Sequence, residues 1–136
     1  MRVVLIPAGV VVALAVAACG ASWQQLGPTP ADQGVVIYLH ADFVGPSQAM
    51  NVDVPNLGLV EGPCSSGAEG EVPAWADCIS SVKVLPGWSA TLYKDPNYKG
   101  ASVTVTSDTP NLKDLHGSCN KDTFNDCVSS IRVAKQ

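Results

Sequence analysis

Only two histidines, His40 and His116, occur among 136 residues, and eight lysines and arginines face twelve acidic residues. Neither histidine sits in an HExxH or any other paired metal spacing, which removes the metallohydrolase chemistry those motifs carry. No Gly-x-Ser-x-Gly elbow and no glycine-rich phosphate loop is present, so serine-hydrolase and nucleotide-binding chemistry have no motif to rest on. A net charge of −4 with scattered lysines excludes phosphate-backbone binding as the main role. Nothing beyond residue 18 keeps a 3.6-residue apolar period, so a helical bundle is excluded. Ten prolines and twelve glycines without long polar runs mark turns in a folded chain, not disorder. Asp42 and Asp95 do not occupy equivalent positions, so no carboxylate pair is visible. What remains is a non-catalytic chain. His40 falls in a predicted hairpin turn and is expected at the surface.

The apolar residues are concentrated at the front. Arg2 is the only charge before Asp32, and residues 3–18 are almost wholly apolar. That run falls short of the roughly 20 residues a spanning helix needs. A basic start, an apolar middle and a small-residue end describe an export signal over residues 1–18. Val16-Ala17-Ala18-Cys19 resembles the lipobox of bacterial lipoproteins. The resemblance implies cleavage before Cys19 and lipid on that residue, holding the chain on a membrane of the cell envelope. Without lipidation the chain is secreted. Residues 19–33, with Pro28 and Pro30, read as a tether reaching at most about 50 Å. The remainder, residues 34–136, has the length of one domain.

That remainder repeats itself. Tyr38-Leu39-His40-Ala41-Asp42-Phe43-Val44-Gly45 recurs 55 residues later as Tyr93-Lys94-Asp95-Pro96-Asn97-Tyr98-Lys99-Gly100. At the same offset Asp53, Pro55, Asn56, Leu57 and Cys64 match Asp108, Pro110, Asn111, Leu112 and Cys119. The halves end alike, Asp77-Cys78-Ile79-Ser80-Ser81-Val82 against Asp126-Cys127-Val128-Ser129-Ser130-Ile131, now at an offset of 49. The first half therefore carries six extra residues (55 less 49), placed in the loop-like stretch 62–74. Two copies of one supersecondary unit follow, residues 34–86 and 87–136. β-Branched or alternating runs at 35–39, 49–54, 79–85, 90–93, 101–106 and 128–133 predict about four short strands per unit. The fold expected is all-β, a sandwich of two Greek-key motifs with about eight antiparallel strands.

The doubled aromatic-x₄-aromatic-x-Gly hairpin, with Asn125-Asp126-Cys127-Val128-Ser129-Ser130 closing the second copy, resembles the βγ-crystallin superfamily. The likeness runs over residues 34–134 and is nearest to the microbial calcium-binding branch, including myxobacterial spore-coat protein S. The first copy departs from the pattern, with Ala76 where an amide or carboxylate belongs. The resemblance implies a structural or stress-protective role and one or two bound calcium ions. Calcium takes six to eight hard oxygens. By position the implied ligands are Asp77, Ser80, Asn125, Asp126 and Ser129, with backbone near residues 45–47 and 100–102. Which motif supplies which ligand stays open, and the Ala76 loop is expected to be the weaker.

Five cysteines are odd in number. If Cys19 carries lipid, Cys64, Cys78, Cys119 and Cys127 remain as an even set, which an exported chain pairs as disulfides. Repeat symmetry favours Cys64–Cys78 and Cys119–Cys127 over the two other connectivities. A second function is carried alongside. Small exported protease inhibitors related to the streptomycete metalloproteinase inhibitors share this fold, though they usually hold one motif copy with cysteines flanking the first hairpin. The Cys64–Cys78 stretch, with Pro73 and Trp75, is the candidate for an inhibitory loop.

Overall fold

Strict alternation of buried and half-exposed side chains sets the strands. Val35 and Ile37 point inward from β1 (Val35–His40), as Ala90 and Leu92 do from β5 (Trp88–Asp95). The computed structural model describes residues 33–136 apart from Ser66 and Ser118. The export signal, Cys19 and the tether up to residue 32 lie outside the described residues.

The remaining strands are β2 (Val44–Met50), β3 (Glu61–Cys64), β4 (Ser81–Val84), β6 (Lys99–Val105) and β7 (Ser130–Lys135). Six of the seven form two antiparallel three-stranded sheets, ordered β2-β1-β4 and β6-β5-β7, while β3 lies outside both and bridges only Ala74. The expected fourth strand of each motif contracts to one residue, and that residue crosses to the other sheet. Val54 exchanges two backbone hydrogen bonds with Ile131 of β7, at 2.8 and 3.0 Å, and Thr109 exchanges two with Val82 of β4, at 2.8 and 3.0 Å. Pro55 and Pro110 follow them, and proline has no N–H with which to continue a ladder. The count is therefore seven strands, with the crossings as single bridges, where about eight were expected. The Greek-key topology holds, and each motif completes the sheet of the other.

The core is doubled as the sequence is. Repeat-equivalent pairs Ile37 and Leu92, Leu57 and Leu112, Ile79 and Val128, and Val82 and Ile131 are all fully buried. Trp75, 2% exposed, is the counterpart of Phe124 at 1%. Trp75 is thus a core residue, not the contact residue of an inhibitory loop.

Each hairpin stacks its aromatics edge to face, Tyr38 on Phe43 and Tyr93 on Tyr98, both at 5.7 Å between centroids. Asp42, Phe43, Asn97 and Tyr98 all take positive φ near 60°, a conformation unfavourable for non-glycine residues. Gly45 (φ +87°) closes the first turn against His40, leaving a Cβ only 2.7 Å from its ring. Both hairpins are held by the second serine of the closing motif. Ser81 Oγ accepts from the Phe43 N–H at 3.1 Å and donates to the His40 carbonyl at 2.6 Å. Ser130 Oγ does the same with Tyr98 (3.0 Å) and Asp95 (2.6 Å). Both serines are completely buried. Burial also pushes the Tyr98 phenol above its ordinary pKa, with Asp53 adding to it, while the Arg132 guanidinium 4.4 Å over the ring opposes it.

Replacing Ser81 or Ser130 by alanine strands one part-buried N–H and one part-buried carbonyl, so each substitution is expected to cost about 2 kcal/mol. Urea unfolding of each variant checks this; a loss below about 0.5 kcal/mol would show that the hairpins do not need the clamp.

Candidate functional site

The two closing loops meet about a pseudo-two-fold axis. Asp77 N–H donates to the Val128 carbonyl at 3.0 Å, and Asp126 N–H donates to the Ile79 carbonyl at 3.1 Å. Ser80 N–H reaches the Tyr38 carbonyl and Ser129 N–H the Tyr93 carbonyl, at 3.0 and 2.9 Å. Asp77 (φ 56°) and Asp126 (φ 54°) are both left-handed, which turns each loop toward the other.

This pairing mixes the side chains of the two motifs. Ser80 Oγ lies 3.3 Å from Asp126 Oδ1, and Ser129 Oγ lies 3.0 Å from Asp77 Oδ1. The five residues proposed as ligands therefore fall into two cross-motif groups, Asp77 with Ser129 and Asp126 with Ser80 and Asn125, each carboxylate matched with the serine of the other motif. That matching could not be read from the sequence. Asn125 adds an oxygen on the Asp126 side. It is 8% exposed, its Nδ2 donates to Asp126 Oδ2 at 2.5 Å, and its Oδ1 has no partner. A buried carbonyl oxygen without a donor costs free energy. A hard cation would satisfy it. On the Asp77 side Ala76 has no oxygen to give.

An open groove of about 760 Å³ runs past Ala76, Asp77, Asp95, Asp126 and Ser129, beside the Cys119–Cys127 bridge. Among the described residues no group of three or more His, Cys, Asp or Glu side chains could hold a metal ion. The donor set here is instead carboxylate, amide and hydroxyl oxygen, the kind calcium takes.

Both disulfides pair as repeat symmetry favoured, Cys64 with Cys78 and Cys119 with Cys127. They accord with export to an oxidising compartment. Each places a half-cystine directly after a left-handed aspartate. The first bridge also closes a projection with no counterpart in the second motif. Residues 65 and 67–73 are exposed, and the Val72 side chain is 69% accessible. The base of the projection is held by backbone bonds. Gly62 N–H donates to the Pro73 carbonyl at 3.0 Å, Trp75 N–H to the Val60 carbonyl at 3.1 Å, and Ala74 bridges Glu61 and Cys64. The tip is bonded to itself: Ser65 Oγ lies 3.2 Å from Glu71 Oε2 and accepts from Gly67 N–H at 3.0 Å. His40 and His116 are exposed.

Comparison with known proteins agrees on the architecture. Residues 31–105 match the model of peptidase inhibitor family I36. Among solved structures, a βγ-crystallin domain from Flavobacterium johnsoniae is 28% identical, with TM-score 0.55, covering 75% of this chain and 94% of its own. A double mutant of a βγ-crystallin domain from Clostridium beijerinckii is 26% identical, with TM-score 0.56, covering 76% and 99%. The N-terminal domain of protein S, at 24% identity and TM-score 0.55, covers 75% and 96% and bears on the fold alone. No curated protein matches.

The bridges close loops of 15 and 9 residues, counted from the pairings. Loop entropy then predicts losses of about 3 kcal/mol for Cys64→Ser with Cys78→Ser and about 2.5 kcal/mol for Cys119→Ser with Cys127→Ser. Equilibrium unfolding of the two double variants measures both, and a change below about 1 kcal/mol in either would show that the loop is held without its bridge.

Proposed function

This chain belongs to peptidase inhibitor family I36, and we propose on that premise that it is an exported, non-catalytic inhibitor built on a βγ-crystallin fold, acting through residues 65–73. The observation that carries this is the projection itself. It is additional to what the motif needs, since the second copy closes with six residues fewer. Its residues 65 and 67–73 are exposed, it is bridged and pinned at its base, and it lies inside the family-matched span. A loop ordered before binding loses little entropy in a protease cleft, so more of its contact energy appears as affinity. Val72 offers an apolar side chain to a specificity pocket, with Pro73 stiffening the chain behind it. Export on the 1–18 signal and lipid on Cys19 belong to the same proposal and would hold the inhibitor at the cell envelope.

Calcium binding is a second reading, favoured by the unpartnered Asn125 oxygen. Asp126, Asn125 and Ser80 would hold one ion, and Asp77 with Ser129 a second, weaker one. The ion would supply a divalent charge that draws the oxygens of both loops together. Mixed neutral and charged ligands imply a dissociation constant on the order of micromolar to millimolar. The readings are compatible, since the loops sit on the scaffold that carries the projection. They differ in role, one acting on a peptidase and the other structural or stress-protective.

Purified chain is expected to inhibit at least one secreted endopeptidase of the thermolysin-like or subtilisin-like class. Val72→Asp should weaken that inhibition more than tenfold without changing the melting temperature. No inhibition of either class at micromolar concentration would remove the inhibitor reading. Calorimetric titration serves the second reading: heat saturating below a few millimolar calcium supports it, and no heat removes it.

A further inference from the structure

The segment that presents Asn125 and Asp126 is under unusual backbone constraint. Lys121 (φ 59°), Asp122 (φ 60°) and Asp126 (φ 54°) are all left-handed within six positions, and none is glycine. Such residues persist only where their surroundings over-determine them. Three things do so here. Phe124, 1% exposed, plugs the core and lies so close over Gly117 that a Cβ there would sit 2.4 Å from its ring. Backbone bonds from Gly117 N–H to the Asp122 carbonyl (2.9 Å) and from Phe124 N–H to the Leu115 carbonyl (3.1 Å) fold the segment back on itself. The third is the Cys119–Cys127 bridge.

Asn125 and Asp126 stand between the Phe124 plug and the Cys127 half-cystine. Their oxygens are held where they are by being fixed on both sides. The buried Asn125 Oδ1 has no donor to relax onto, and the Asn125 amide is spent on Asp126. Freed from the bridge, the carboxyl-terminal side of the pair could turn out of the left-handed region, and the unpartnered oxygen could escape to water. The other bridge lies two residues before Ser80 but does not close the segment that carries Asn125 and Asp126. Cys64–Cys78 flanks Asp77, but Ala76 before it contributes no side-chain oxygen, and the loop it closes is longer.

We propose that the Cys119–Cys127 disulfide is a positioning element for calcium at Asn125, Asp126 and Ser80, so that closing this bridge raises calcium affinity while closing Cys64–Cys78 does not. The inference rests on the calcium reading above. When only a fraction of molecules hold the loop in the competent form, the apparent dissociation constant rises by the reciprocal of that fraction. Loss of a supporting contact around a metal site weakens binding on the order of tenfold to a hundredfold.

Calorimetric calcium titration of the oxidised chain, of Cys119→Ser with Cys127→Ser, and of Cys64→Ser with Cys78→Ser is the test. The first variant is expected to bind at least about tenfold more weakly than the parent and the second within about threefold, although the two are predicted to lose similar stability. Equal weakening in both, or none in the first, overturns the positioning role and leaves the calcium reading standing. No binding by the parent removes the calcium reading and this inference with it.

A second measurement needs no stable variant. Coupling between two equilibria is reciprocal, so calcium must favour the bridge by the factor by which the bridge favours calcium. In a glutathione buffer, glutathione disulfide takes two electrons from the Cys119 and Cys127 thiols, whose two protons pass to the two glutathione thiols formed. Saturating calcium is expected to shift that equilibrium about tenfold toward the bridge at Cys119–Cys127 and less than about threefold at Cys64–Cys78, read by alkylation and mass spectrometry. No shift, or the same shift at both bridges, overturns the proposal.

Discussion

Two reciprocal backbone hydrogen bonds, Asp77 to Val128 and Asp126 to Ile79, are the constraint on which this structure depends. They lock the end of each motif against the end of the other. Once they form, β4 and β7 have a fixed relation, and Val54 and Thr109 find their partners in the opposite sheet. The two inner faces then close over Ile37, Leu57, Val82 and their repeat partners. Neither motif has a complete sheet alone, so the chain folds as one unit although its sequence is two. The same two bonds bring the carboxylate of one loop to the serine of the other. Architecture and candidate chemistry therefore share one origin.

Much of this was legible in advance, because duplication doubles every signal. The aromatic-x₄-aromatic-x-Gly hairpins, the alternation in β1 and β5 and the equivalence of the cysteines each occur twice in register. The hairpin glycines do take positive φ. Other features escaped, for physical reasons. The crossing strands are one residue long, and no periodicity can report a single residue. Pro55 and Pro110 were the available signal, since they stop a ladder from extending. Ser81 and Ser130 directly follow the proposed ligand serines in the sequence. Only the side to which their side chains point, opposite to that of Ser80 and Ser129 along the chain, makes them hairpin clamps. Trp75 invited a surface role until its equivalence to Phe124 placed it in the core. The exchange of ligands between motifs depends on three-dimensional pairing that neither motif's sequence encodes alone.

The two copies have diverged in complementary ways. The first has Ala76 with no side-chain oxygen and six more residues than the second, and its disulfide closes an exposed projection. The second keeps Asn125 with a buried, unpartnered oxygen, and its disulfide closes a short, strained segment. The two closing loops thus differ in what they present: an exposed, bridged projection in the first copy and a buried, unpartnered amide oxygen in the second. The scaffold between them is the same paired core. This division accounts for a family of inhibitors and a fold of crystallin type meeting in one chain without conflict.

Cross-motif pairing sets up two carboxylate–serine pairs, and Asn125 makes them unequal. An amide-resolved nuclear magnetic resonance titration of the oxidised chain with calcium tests this most directly. The account predicts that perturbations concentrate at residues 76–80 and 125–129 and the hairpin turns beside them, with Asn125 and Asp126 moving at lower calcium than Asp77. Perturbations confined to residues 65–73, or of equal size and midpoint in both loops, would contradict it.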